Sequence, residues 1–327
     1  MSLIRRSFMP FIKVGIAVAI IYLMVDKGLL NLHEMFSVLT ARDLALCLFL
    51  VFLGLVFSSF RWLVLLSGQG FRAHIAQVFS LQLVGLFFNF VVPGGVGGDL
   101  IKGYYLVKSQ DNEKFLAATS IFVDRVIGLW TMLIIVVFSG VFIMPVLLVN
   151  PKIMYIYKLM MVAGGIFSLI LGVAFSKRIN SSGIIQKTTS KIIYGEFLYK
   201  CYESIHSYCS NKAAIVKAVV LSFSTQVTSI LFFYIVGNAL GAPLDLKAYL
   251  FIVPLGFVCS SLPITPASIG IGQMVFLAIF NLYIGDKTQI GPNSVSLFQI
   301  VTFVWGLLGG GIYLFKKKYT LDTKLGL

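Results

Sequence analysis

Two short stretches of this sequence combine a break in a hydrophobic helix with residues that could bind an anion. The first, Phe87–Leu106 (FFNFVVPGGVGGDLIKGYYL), places Asp99 and Lys102 directly after a proline- and glycine-rich break. Residues three apart share one face of a helix, so the acid and the base are expected to point the same way. They predict either a structural ion pair or a site where Lys102 meets an anionic headgroup that Asp99 orients.

The break itself contains one proline and four glycines between residues 93 and 98. Such a chain can turn and expose its N–H groups, and the helix that restarts near Asp99 points a phosphate-binding N-terminus at the break. The alternative is that the glycines only let helices pack closely. The candidate substrate-binding residues at this break are Asn89, Pro93, Gly94, Gly95, Gly97 and Gly98.

Two further places add candidate residues. Asp124 and Arg125 lie in the apolar run SIFVDRVIGLW, where an arginine needs a partner or a cavity unless its side chain extends to the lipid headgroups. The second break, Leu262–Gln273 (LPITPASIGIGQ), follows about 170 residues after the first. Its candidate binding residues are Pro266, Gly270 and Gln273.

Composition places these residues in a membrane protein. Of the 327 residues, 58% are hydrophobic and 12% are charged, about half the charged share of a soluble protein. The net charge of +14 comes from residues beside apolar spans rather than a dense basic patch, which argues against nucleic-acid binding. The four cysteines form no CxxC pair and the three histidines lie far apart, so we predict no metal site, no cofactor and no catalytic residue.

Hydropathy predicts an all-α polytopic protein with spans near the length that a bilayer requires. Simple spans are predicted at 11–27, 44–66, 117–148, 157–175, 213–240 and 294–315. The segments at 75–92 and 247–262 run into the two breaks, and the second continues as a helix to about residue 284. The polar, basic stretch 176–212 is predicted to be a cytoplasmic amphipathic helix or a simple connecting loop.

The positive-inside rule favours two returning hairpins. If each broken segment adds no net crossing, both termini and the basic 176–212 stretch fall on the cytoplasmic side. If the first break were a single crossing, that stretch would face outward with its Lys and Arg residues, against the rule. We therefore predict six simple spans plus two re-entrant broken-helix hairpins in the cytoplasmic membrane.

This topology makes the two halves an inverted repeat. The unit 44–148 and the unit 213–315 have opposite orientations, an architecture that transporters use for alternating access. The pattern P-x-x-(V/I)-G occurs at Pro93–Gly97 and again at Pro266–Gly270. The match is short, so the prediction depends mainly on topology.

The motif N-x-x-x-P-G-x-x-G-G-D-x-x-(K/R), here Asn89 to Lys102, together with D-R-x-x-G at Asp124 to Gly128, resembles the lysylphosphatidylglycerol synthase transmembrane family, also called flippase-like or UPF0104 membrane proteins. The resemblance covers nearly the whole chain and implies a protein that moves or handles lipids across the cytoplasmic membrane. The chain departs from larger relatives because it has no room for a soluble synthase domain. At Gly272-Gln273 it also lacks the basic–acidic pair expected in many members.

The leading hypothesis is a lipid translocase that holds a phosphate-bearing headgroup between the hairpins, with Lys102 and Arg125 as its cations. The ligand would be an anionic lipid or a polyprenyl-phosphate lipid. Two alternatives stay open: a membrane-embedded transferase that uses such a lipid, and a non-catalytic subunit of a lipid-modifying complex with a partner enzyme.

Overall fold

Long apolar segments and their caps determine where the helices of this chain begin and end. The computed structural model describes residues 22, 26, 37–92, 97–108, 114–175, 195–261 and 265–315. Within them, α1 (Ala41–Gly68) begins at Thr40, whose hydroxyl accepts a hydrogen bond from the N–H of Asp43 while the Asp43 carboxylate accepts one from the N–H of Thr40. This reciprocal cap satisfies two N–H groups that a helix start leaves unpaired.

The first half continues through the glycine break. The helices are α2 (Ile75–Val91), α3 (Gly97–Lys108) and α4 (Lys114–Ser139). Two helices follow, α5 (Met144–Val149) and α6 (Pro151–Ala174). The single span predicted at 117–148 is therefore divided, because the chain turns after Ser139 although residues 141–149 are still mostly apolar.

The rest of the chain contains a similar succession of helices. After α7 (Gly195–His206) and a 3₁₀ turn at Ser207–Ser210, the helices are α8 (Lys212–Ala239) and α9 (Leu246–Ser260). A 3₁₀ turn at Pro266–Ser268 precedes α10 (Ile271–Ile284), and α11 covers Ile290–Phe315. Helix α7 lies inside the stretch predicted as an amphipathic linker, and residues 176–194 of that stretch lie outside the described part of the chain.

The described helices make this an all-α polytopic membrane protein. Six described segments are long and apolar enough to cross a bilayer: Ala41–Gly68, Ala118–Ser139, Pro151–Ala174, Lys212–Ala239, Pro266–Ile284 and Ile290–Phe315. The fifth of them consists of the Pro266–Ser268 turn and α10 together. Five correspond to predicted simple spans. The predicted span at 11–27 lies outside the described residues except for Tyr22 and Asp26.

Helix packing follows a reciprocal pattern. Helix α1 packs along α8, while α2 packs on α11 and α4 packs on α9. Within the halves, α3 contacts α2 and α4 in the same way that α10 contacts α9 and α11. If α1, α2, α3 and α4 are exchanged with α8, α9, α10 and α11, in that order, each of these contacts becomes another contact that the structure also has.

Candidate functional site

A large cavity lies between the two broken segments. Its volume is about 950 Å³, and it is bounded by α2, α3 and α4 on one side and by α9, the Pro266–Ser268 turn, α10 and α11 on the other. Most of the lining is apolar. The polar residues of the lining are Asn89, Asp99, Tyr104, Arg125, Ser260, Ser261, Ser268, Gln299 and Thr302.

Arg125 and Asp99 form an ion pair in the first wall of this cavity. The Nε of Arg125 donates to Asp99 Oδ2 at 2.6 Å, and the two side chains are 51% and 19% exposed. The terminal nitrogens Nη1 and Nη2 make no hydrogen bond to any residue in the described part of the chain. Because a guanidinium presents its N–H groups as a planar fork that matches phosphate, this arginine can pair with Asp99 and still bind an anion.

Asn89 adds a second donor to the same wall. Its Oδ1 accepts a hydrogen bond from the N–H of Gly98 at 2.9 Å, which fixes the orientation of the side-chain amide. The amide nitrogen Nδ2 has no partner among the described residues and belongs to a side chain that lines the cavity. The N–H of Gly98 is meanwhile used within the protein rather than offered to a ligand.

The glycines that start α3 pack tightly against α2. A Cβ atom on Gly98 would overlap the carbonyl oxygen of Gly85, and one on Gly97 would overlap the side chain of Val92 and the carbonyl oxygen of Phe88. Both glycines are buried, so close helix packing accounts for them. The other predicted residues of this break, Pro93, Gly94 and Gly95, lie outside the described residues.

Lys102 does not reach the cavity. It is 7% exposed, its Nζ donates to Oε1 of Gln82 on α2, and the same amine lies 5.4 Å from the ring centroid of Trp62. The shared face predicted for Asp99 and Lys102 therefore does not give a shared site. Helix α3 lies between two neighbours, so Asp99 turns toward α4 and Lys102 turns toward α2.

Asp124 belongs to a second, buried ion pair that sequence analysis did not identify. Its carboxylate accepts from Nε of Arg61 at 2.6 Å and from Nη2 at 3.0 Å, and Nη1 of Arg61 donates to Ser222 on α8 at 2.9 Å. The pair joins α1, α4 and α8 and does not line the cavity. The signal that could have found it is Arg61 itself, an arginine inside the span predicted at 44–66.

The second break is held by neutral hydrogen bonds. Gln273 Oε1 accepts from the N–H of Gly270 at 2.7 Å, and Gln273 Nε2 donates to Gln299 Oε1 at 2.7 Å. The turn before α10 is strained, with φ of 46° at Ala267 and 58° at Ser268, a region that residues other than glycine rarely adopt. The predicted residues Pro266, Gly270 and Gln273 are all buried behind the cavity wall.

The two breaks use matched positions with different chemistry. Asp99 and Gln273 are each the third residue of their helices, α3 and α10. Asp99 pairs with Arg125 on α4, and Gln273 pairs with Gln299 on α11. An ion pair in the first half thus has a neutral amide pair as its counterpart in the second half.

Two more contacts of the first half have aromatic counterparts. Arg61 and Phe232 are each the twenty-first residue of their helices, α1 and α8. Arg61 pairs with Asp124, the residue before Arg125, and Phe232 packs on Phe298, the residue before Gln299, with ring centroids 5.1 Å apart. These aromatic rings fill the core of the second half without any charge.

The contact of Lys102 with Trp62 likewise has an aromatic counterpart in the second half. Lys102 is the sixth residue of α3 and Phe276 the sixth residue of α10. Phe276 stacks on Phe233 with ring centroids 4.8 Å apart. Phe233 follows Phe232 in α8, just as Trp62 follows Arg61 in α1.

Comparison with known proteins agrees with this architecture. The family described as the lysylphosphatidylglycerol synthase TM region matches residues 11–310. The UPF0104 membrane protein MJ1595 of Methanocaldococcus jannaschii is 24% identical over 288 residues, which cover 83% of each chain. The UPF0104 membrane protein PH1989 of Pyrococcus horikoshii is 20% identical over 301 residues, covering 86% of this chain and 88% of the relative. No solved structure matches the chain. A match that spans nearly the whole chain shows that this protein belongs to the lysylphosphatidylglycerol synthase transmembrane family.

Proposed function

We propose that this protein is a lipid translocase that moves an anionic, phosphate-bearing lipid across the cytoplasmic membrane. The observation that supports it best is Arg125, a half-exposed arginine in a cavity between two broken helices, whose two terminal nitrogens make no hydrogen bond to any described residue. Ionisable side chains within membrane spans are costly, and they mark substrate pathways when they face a cavity. Arg125 and Asn89 would hold the phosphate between them.

The rim of the cavity suits a lipid better than a soluble anion. Leu100, Tyr104 and Phe122 line the cavity and are each more than half exposed. The cavity therefore opens beside apolar side chains on α3 and α4. A headgroup could enter there while the acyl or isoprenoid tails stay in the bilayer. The family name, which links this transmembrane region to phospholipid chemistry, supports the same substrate class.

The proposed mechanism is alternating access of an inverted repeat. Helices α2 and α9 contain 17 and 15 residues, or about 26 and 22 Å, less than the roughly 30 Å hydrocarbon core, as expected if they form returning hairpins. The reciprocal helix contacts are those expected of two repeats facing one cavity. Positive-inside topology then puts both termini in the cytoplasm.

A transport assay in proteoliposomes tests this function. Phosphatidylglycerol with a fluorescent label on one acyl chain is placed in both leaflets, and dithionite added outside reduces whatever reaches the outer leaflet. The wild-type protein should make the inner pool reducible. Arg125→Gln should lower the initial rate about 10- to 100-fold, because it removes a charge-assisted contact to phosphate.

The matched control is Arg42→Gln, which removes an exposed arginine at the start of α1 and should keep the wild-type rate. Equal rates for the wild type and Arg125→Gln would contradict the proposed role of Arg125. Failure of the wild-type protein to exchange any of several anionic lipids would contradict the translocase itself.

A further inference from the structure

The cavity opens to the surface along the first half. Leu100 and Tyr104 on α3 and Phe122 on α4 line the cavity and are each more than half exposed. Ala118, one turn before Phe122, also lines it and is exposed. These four residues form the first rim, where a lipid can reach the cavity beside α3 and α4.

Position in the sequence matches the first rim with a second set of residues. A constant offset of 174 residues relates Asp99 to Gln273 and Arg125 to Gln299, the pairs that join α3 to α4 and α10 to α11. The same offset matches Leu100, Tyr104, Ala118 and Phe122 with Met274, Ala278, Pro292 and Ser296, respectively. The last four residues are the second rim.

The second rim is closed. All four of its residues lie in the described part of the chain, and none of them lines the cavity. On α10, Met274 and Ala278 are exposed, but on α11 Pro292 is buried and Ser296 is 5% exposed. Helix α11 therefore lies closed against α10, whereas α4 leaves the matched side of the cavity open.

Gln273 makes the hydrogen bonds that hold α10 to α11 at this rim. Its Nε2 donates to Ser296 Oγ at 3.1 Å and to Gln299 Oε1 at 2.7 Å, and both partners lie on α11. Its Oε1 accepts from the N–H of Gly270, which fixes the amide so that Nε2 faces α11. In the first half, the residue matched to Ser296 is Phe122, whose ring offers no such acceptor.

Backbone packing closes the outer end of the same boundary. A Cβ atom on Gly291 of α11 would lie 2.4 Å from the carbonyl oxygen of Phe276 and 3.0 Å from the ring of Phe280. The two helices are therefore in contact through the backbone of Gly291, and no lipid chain fits between them in this arrangement.

The closed arrangement also holds a strained turn. Gln299 Nε2 donates to the carbonyl oxygen of Ala267 at 3.1 Å, so the residue bound by Gln273 also holds the turn before α10. Ala267 and Ser268 have φ of 46° and 58°, and strain of this kind is found in segments that switch between two states. The bonds across the boundary are neutral, so they break more easily than the charge-assisted Asp99–Arg125 bond.

We infer that a second opening for the lipid lies between α10 and α11, and that Gln273 is the latch that keeps it closed in this structure. This inference rests on the proposed lipid translocase and names the second access that alternating access requires. With the proposed topology, the first rim serves the cytoplasmic leaflet and the second rim the outer leaflet. Three of the four residues of the second rim are apolar, as a passage for acyl or isoprenoid tails requires.

Single cysteines in nanodiscs test the closure. The background is the full chain with its native cysteines replaced by alanine. A water-soluble maleimide should modify Ala118→Cys rapidly and the matched Pro292→Cys slowly. Adding Gln273→Met keeps the length of the side chain and removes its bonds to α11. It should speed up modification of Pro292→Cys about tenfold, the worth of one or two hydrogen bonds.

The matched control is Gln69→Met. It removes another glutamine that bridges two elements, since Gln69 at the end of α1 exchanges hydrogen bonds with Ser207 in the 3₁₀ turn after α7. Gln69 does not line the cavity and belongs to neither rim. Modification of Pro292→Cys should keep its original rate in this variant.

A reversible crosslink tests whether the second opening carries the lipid. In the variant Gln273→Cys with Ser296→Cys, a short bis-methanethiosulfonate reagent joins α10 to α11. The joined protein should move labelled phosphatidylglycerol at least about tenfold more slowly in proteoliposomes and should recover with dithiothreitol. Transport is followed by extraction of the lipid into albumin, because dithionite reduces disulfides.

Two controls accompany the crosslink. The same reagent on Gln69→Cys with Ser207→Cys should leave the transport rate unchanged, because this pair lies away from both rims. The joined Gln273→Cys, Ser296→Cys protein should still retain phosphatidylglycerol in native mass spectrometry, because the first rim stays open.

Three results would overturn the inference. Equal modification rates of Pro292→Cys and Ala118→Cys would show that the second rim is not closed. No effect of Gln273→Met on the modification of Pro292→Cys would show that Gln273 is not the latch. Undiminished transport by the crosslinked protein would show that the lipid leaves elsewhere. The translocase proposal survives all three results, since it fails only if the wild-type protein moves no anionic lipid.

Discussion

The two halves of this molecule place different chemistry at matched positions of their helices. In the first half, matched helix positions hold an ion pair at the cavity, a buried ion pair and a lysine over a tryptophan ring. In the second half, the corresponding positions hold an amide pair and two aromatic contacts. The first half therefore carries charge where the matched positions of the second half carry none.

The difference between the charged and the uncharged contacts distinguishes a role in stability from a role in binding. Buried ion pairs contribute little to stability compared with well-packed apolar side chains of similar volume. The aromatic cluster around Phe232, Phe233 and Phe276 fills the core of the second half at the matched positions. We propose that the charged half is the part that binds the phosphate.

The largest predicted effect is on the buried Arg61–Asp124 pair. Asp124→Asn leaves a buried guanidinium without its counter-charge and should lower the free energy of unfolding by about 3–5 kcal/mol. The double variant Arg61→Leu with Asp124→Leu imitates the apolar second half and should recover at least half of that loss. Unfolding in mixed detergent micelles measures both. A double variant less stable than the single one would contradict the equivalence of the two halves.

A smaller effect is expected from the glycines that start the two restarted helices. Gly98→Ala adds a Cβ atom that would overlap the carbonyl oxygen of Gly85. It should lower the free energy of unfolding by about 1–3 kcal/mol. Gly272 occupies the same position in α10, where a Cβ would meet the Gln299 side chain at 3.3 Å. Gly272→Ala should therefore cost less than about 1 kcal/mol. Equal melting temperatures for the two variants would show that α3 is not packed more tightly than α10.

The smallest effect is expected for Lys102. Lys102→Met keeps the length of the side chain and removes a buried amine that lies behind the cavity wall. Stability should change by less than about 1 kcal/mol, and retention of phosphatidylglycerol should fall only a few-fold. Phe276→Met is the matched change in the second half and should leave retention unaltered. If Lys102→Met lost the lipid as completely as Arg125→Gln, Lys102 would have to contact the ligand directly.

Hydropathy predicted most of the architecture because the spans are long and apolar. The predicted segments at 75–92 and 247–262 correspond closely to α2 and α9, and both breaks were identified from proline and glycine. The turn after Ser139 was not predicted, because Val141, Phe142 and Ile143 continue the apolar run through it. Hydropathy does not distinguish an apolar turn from an apolar helix.

The partners of the charged residues could not be predicted from sequence. Spacing along α3 placed Asp99 and Lys102 on one face. In the structure, Lys102 donates to Gln82 on α2, whereas Asp99 accepts from Arg125 on α4, so the two side chains point in different directions. Arg61 and Asp124 are 63 residues apart, and no periodicity indicates that they meet. Which nitrogens of Arg125 and Asn89 are already hydrogen-bonded within the protein can be determined only from the three-dimensional structure.

The most direct test of the account is a cryo-electron microscopy structure of the protein in nanodiscs that contain phosphatidylglycerol. We predict phosphate density inside the cavity, within hydrogen-bonding distance of the Arg125 terminal nitrogens and Asn89 Nδ2. The Asp99–Arg125 pair should remain in place. A cavity filled by acyl chains alone, with no headgroup between the two breaks, would contradict the central claim.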